Sequence, residues 1–83
     1  MINTNILILG AGGDIGQSIF KILKDIDWIN TIVGTDINTK TASSLLFDKF
    51  YKLPKCNNKK YFSEIENIVS LEKITLILPV SEP

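Results

Sequence analysis

The chain has 83 residues, 45% apolar and 22% charged, a composition suited to a soluble globular core, with no apolar stretch near the roughly 20 residues a membrane span needs. Nine lysines offset nine acids without a basic cluster, so the electrostatic footprint of a nucleic-acid binder is missing. Histidine and arginine are absent and Cys56 is the one cysteine, which excludes from these residues a Ser-His-Asp triad, a histidine-ligated metal, a guanidinium clamp and an internal disulfide.

The opening MINTN lacks the charged and apolar regions of a secretory signal, and a lone thiol fits a reducing compartment, so a cytoplasmic setting is expected. Ile6-Leu7-Ile8-Leu9 is a continuous apolar run ending at Gly10, the mark of a strand covered on both faces. Four glycines follow within the stretch ILILGAGGDIG, Ile6 to Gly16: Gly10, Gly12, Gly13 and Gly16. From there Ile15, Ile19, Ile22, Leu23 and Ile26 are spaced as one face of a helix, and the pattern fades near Trp28, which is expected to pack. Thr31 to Asp36 reads as a second buried strand with an acid at its end.

Ala42, Leu45 and Leu46 suggest a short helix or turn with one apolar side, and Lys49 to Leu53 a brief strand stopped by Pro54. Cys56 falls in a polar loop with Asn57-Asn58-Lys59-Lys60 and reads as an ordinary exposed thiol. Ile65, Ile68 and Val69 then form the inward side of a helix beginning near Tyr61, and Ile74 to Leu78 a last strand closed by Pro79. Strands alternating with helices predict an α/β, Rossmann-like fold: a parallel sheet in the order 3-2-1-4 with helices on both faces. A chain this short buries only about 60% of its unfolded surface, so residues 1–83 are expected to be one domain at the front of a longer protein.

In such a sheet ligands sit beyond the carboxyl ends of the strands, which aligns the glycine turn, Asp36 and Pro79-Val80-Ser81-Glu82 along one rim. Three chemistries compete for the turn. Gly10, Gly13 and Gly16 have the spacing of a short-chain dehydrogenase, with Asp36 placed to meet an adenosine ribose. A Walker loop fails, since no Gly-Lys-Ser/Thr follows and the nearest lysine is Lys21. The glycines can also serve packing alone, in a non-catalytic interaction module.

The segments GAGGDIGQSI, IVGTDI, LLFDKFYKLP, YFSEIENIV and ITLILPVSEP together resemble the amino-terminal domain that precedes the ATP-grasp fold in carbamoyl-phosphate-synthase-like and carboxylate-amine ligases. The resemblance covers essentially the whole chain; its most specific parts are Asp48-Lys49-Phe50-Tyr51 leading to Pro54, and Pro79-Val80-Ser81-Glu82. A dehydrogenase would instead carry an acidic segment where Asn57-Asn58-Lys59-Lys60 stands, and Ala-Ala or Ala-Gly where Val80-Ser81 stands.

The resemblance implies a ligase that activates a carboxylate as an acyl phosphate for attack by an amine, with ATP and magnesium held by later subdomains and no cofactor in this one. Its ATP-binding lysines, metal-binding acids and asparagine have no counterparts here, so no catalytic, cofactor or metal residue is carried over. This domain would form one wall of the substrate cleft. Gly12, Gly13 and Asp14 would offer backbone N–H groups to a small carboxylate or its acyl phosphate, and Ser81 and Glu82 would contact the amine or carboxylate substrate. Asp36 either joins that site or caps the following turn through Asn38 and Thr39; Asp14 either meets ligand or steadies the helix dipole. Partners expected are these small substrates and, through an uncovered strand edge, a second copy.

Overall fold

The computed structural model describes residues 3–37, 45–55 and 57–80. Six elements follow one another: β1 (Thr4–Leu9), α1 (Asp14–Leu23), β2 (Ile29–Asp36), β3 (Lys49–Lys52), α2 (Tyr61–Leu71) and β4 (Leu76–Pro79). The four strands form one sheet in the order β3-β2-β1-β4, every pair parallel. The fold class read from the sequence is therefore the one observed. No helix among the described residues is long and apolar enough to cross a membrane.

β1 lies between β2 and β4, and its side chains alternate between two cores because successive residues of a strand point to opposite faces. Ile6 and Ile8 join Ala11, Ile32 and Phe47 under Ile19, Phe20 and Leu23 of α1. Leu7 and Leu9 join Val33, Leu53 and Ile74 under Tyr61, Ile65 and Ile68 of α2. The helices thus cover opposite faces, as a parallel sheet with crossover connections requires. Phe47 ties the first core to the sheet edge, its ring centroid 5.0 Å from that of Phe20 and 5.6 Å from that of Phe50, and Asp48 accepts the N–H of Ile32 at 2.8 Å just before β3 begins.

Three expectations need correction. The inward stripe of α1 runs through the buried Gly16 and the half-buried Ile19, Phe20 and Leu23, while Ile15 is 63% and Ile22 68% exposed. The helix is turned to bring Gly16 inward, because only a residue without a side chain fits against the turn below it. Trp28 is 46% exposed and contributes chiefly its carbonyl, which accepts the N–H of Thr4 at 2.9 Å. Leu45 is 86% exposed, and the inward residue of that segment is Phe47; Ala42 lies outside the described residues, as does Cys56.

α2 ends in a left-handed residue, Lys73 at φ 54°. The Ile74 N–H then reaches back to the carbonyl of Val69 at 2.9 Å, the closing bond of a Schellman motif. Asn5 completes this end, its side-chain amide donating to the carbonyls of Glu72 at 2.9 Å and Lys73 at 3.2 Å. Glu72 itself is anchored to β3: its carboxylate, with a side chain 8% exposed, accepts the Tyr51 hydroxyl and pairs with the Lys49 ammonium at 3.2 Å.

The Tyr51 hydroxyl holds the Glu72 carboxyl below its ordinary value of 4.5, against the opposing effect of burial and with further help from Lys49. The same bond raises the Tyr51 phenol above its ordinary 10.0. A carboxyl depressed on folding stabilises the native state above its unfolded pKa, and that contribution is lost as pH falls through the folded pKa. Urea midpoints measured against pH should therefore fall below pH 4.5 more steeply in the wild type than in Glu72→Gln.

Candidate functional site

The site grows from the end of β1. Gly10 takes φ 74°, a left-handed conformation that favours glycine, and turns the chain out of the sheet. The Ala11 N–H donates to the Thr35 carbonyl at 2.7 Å, while the buried Thr35 hydroxyl donates to the carbonyl of Ile8 at 2.9 Å. One step on, the Gly12 N–H donates to Oδ2 of Asp36 at 2.7 Å. Oδ1 of the same carboxylate accepts the Ile37 N–H at 2.7 Å, and the Asp36 carbonyl accepts the Leu53 N–H at 2.9 Å. β4 closes the other side of the rim, where the Val80 N–H donates to the Leu9 carbonyl at 3.0 Å.

Three glycines of this turn do different work. A β-carbon on Gly12 would lie 2.5 Å from Oδ2 and 2.8 Å from Cγ of Asp36, so the acid occupies the space a side chain would need. A β-carbon on Gly16 would lie 2.2 Å from the carbonyl oxygen of Ala11, which fixes how closely α1 approaches the turn. A β-carbon on Gly13 would meet nothing within 4 Å. Gly13 is the N-cap of α1, extended at φ −105° and ψ −171°, with no side-chain cap.

Gly12, Gly13, Asp14 and Asp36 lie at one rim, but the Gly12 N–H, expected to face a substrate carboxylate, donates to Asp36 instead because the acid ends the neighbouring strand directly beside it. Ser81 and Glu82 lie outside the described residues, as do Asn38 and Thr39. Asp14 stands exposed in the first turn of α1, where its charge favours the helix dipole by about 0.3–1 kcal/mol. The first-turn N–H groups of Asp14, Ile15 and Gly16 have no carbonyl within the helix to bond and point along that dipole toward the rim.

The turn carries no basic side chain, Lys21 stands in the last turn of α1, and the carboxylate of Asp36 rests on the glycine backbone. Among the described residues no three acids, histidines or cysteines cluster to hold a metal. Sequence reasoning missed the Tyr51–Glu72–Lys49 cluster. Lys49 and Tyr51 sit two apart on one strand and so share a face, but their acid arrives from α2 only once the chain is folded.

These features define a Rossmann-like α/β domain whose first glycine turn is tied to the end of its second strand. The family model described as "PylC-like, N-terminal domain" matches residues 6–83, and the chain belongs to that family, the N-terminal domain of an ATP-grasp ligase. No curated protein matches the chain.

The geometry separates two substitutions. Gly16→Ala should lower unfolding free energy by about 1–3 kcal/mol, since its methyl meets backbone that cannot yield cheaply. Gly13→Ser should raise it by a few tenths of a kcal/mol by supplying a side-chain cap. Urea unfolding of both variants checks the pair, and an equal loss in both would refute the assignment of their roles.

Proposed function

We propose that this domain is the substrate-side wall of an ATP-grasp ligase that activates a small carboxylate as an acyl phosphate for attack by an amine. The family membership supports the ligase class. The observation that carries the placement is the N-terminus of α1, capped by a bare glycine at the carboxyl end of the sheet. Its N–H groups and dipole suit an anion, and Gly13 leaves space for it to approach.

In this reading the residues of the chain bind and orient, and do no covalent chemistry. The N–H groups at Asp14 and Ile15 hold the carboxylate or the negative charge that develops on it, the glycine turn keeps side chains out of its path, and Ser81 and Glu82 contact the amine or the carboxylate substrate. ATP and magnesium belong to other segments of a longer, cytoplasmic polypeptide. The dehydrogenase alternative loses ground with the family match and with the Asp36 carboxylate already engaged by two backbone N–H groups.

The test uses the intact ligase polypeptide with candidate carboxylates labelled with heavy oxygen. Carboxylate-dependent ADP release with one labelled oxygen carried into phosphate is expected; release of ADP without that transfer would exclude an acyl phosphate. In Gly13→Ser, the new hydroxyl competes for the first-turn N–H groups, so the carboxylate KM should rise about tenfold for the loss of one such contact while the ATP KM stays unchanged.

A further inference from the structure

We infer that Asp36 is a positioning residue, a latch that holds the glycine turn in the shape the carboxylate site needs and closes the turn against an adenosine ribose. The inference rests on the ligase reading above and deepens it. An acid at the end of the second strand of a Rossmann unit ordinarily turns its oxygens to a ribose diol. Here the carboxylate turns instead onto its own backbone, Oδ2 to the Gly12 N–H and Oδ1 to the Ile37 N–H, each at 2.7 Å.

The latch also explains which glycine must be bare. Because Oδ2 would stand 2.5 Å from a β-carbon on Gly12, the acid and the glycine form a matched pair, and a larger residue at either position disturbs the other. Gly12 leads directly into Gly13, the cap of α1, so movement of the Gly12 peptide swings the cap and the first-turn N–H groups. A contact 24 residues apart in the chain thereby sets the direction of the donors. Asp36 never touches substrate in this arrangement.

The test compares wild type, Asp36→Ala and Asp36→Asn in the intact polypeptide. Exchange of the Gly12 amide hydrogen should speed up about tenfold in Asp36→Ala, with Asp36→Asn intermediate because its carbonyl oxygen can still accept one N–H. The carboxylate KM should rise by a similar factor, about tenfold, while the ATP KM holds, a split that general loosening of the fold would not produce. NAD should protect neither the wild type nor the variants from exchange.

Unchanged Gly12 exchange together with an unchanged carboxylate KM in Asp36→Ala would overturn the proposal. So would NAD binding by the wild type that disappears in Asp36→Ala. Should Asp36→Ala fail to fold, Asp36→Asn and Gly12→Ala decide alone: Gly12→Ala must displace the carboxylate and reproduce the KM split. If the wild type releases no ADP with any carboxylate, the ligase reading falls, and faster Gly12 exchange in the variants still upholds the latch.

Discussion

β1 is buried on both faces and bonded on both edges, and this one constraint governs what surrounds it. Both neighbours of β1 run parallel to it, so the chain must cross back over a face of the sheet before it can pair again. It must leave through the carboxyl end of the sheet and fold back as a helix over one of the two cores. The space for that reversal is set by the carbonyl of Ala11, which stands where a β-carbon of Gly16 would be. Glycine at that point lets α1 settle against the turn, and the settling orients Ile19, Phe20 and Leu23 toward the sheet. The N-terminus of α1 then opens onto the rim as a consequence of packing.

Three of the chain's acids act as clamps between segments distant in sequence. Asp36 ties the end of β2 to the glycine turn, Asp48 binds the N–H of Ile32 where β3 is about to begin, and Glu72 fastens the end of α2 to β3 through Tyr51 and Lys49. Glu72, its side chain 8% exposed, has its carboxylate satisfied by both Tyr51 and Lys49, the condition for placing a charge against a core without a large penalty. Asp14 acts locally instead, in the first turn of α1.

Much of the architecture was legible because the apolar runs are long relative to the elements they form. Ile6 to Leu9 and Thr31 to Asp36 read as strands covered on two sides, and their alternation with helical spacing points to a parallel sheet with right-handed crossovers. The face of α1 was misjudged because an apolar count passes over glycine, and Gly16 is the most deeply seated residue of that helix. Leu45 and Trp28 were misjudged because hydrophobic character alone does not say which of several neighbouring apolar residues reaches the core; Phe47 does. At the rim, position was legible and bonding was not. That Asp36 ends a strand could be read from its neighbours, whereas the turn of its carboxylate toward Gly12 depends on a crossover that brings residues 24 apart together.

That distinction decides between chemistries that share a sequence pattern. Glycines at this spacing with an acid one strand later describe a dinucleotide site and a substrate wall equally well, since both need a tight turn and a close backbone. Under the proposed function, the orientation of the acid separates them. A carboxylate that accepts ribose hydroxyls must leave the turn's N–H groups to a pyrophosphate, while one that accepts the Gly12 N–H removes a donor from the phosphate path and sets a negative charge beside it. In the proposed function a single carboxylate is held further along, at the first-turn N–H groups of α1, and the turn serves that smaller anion.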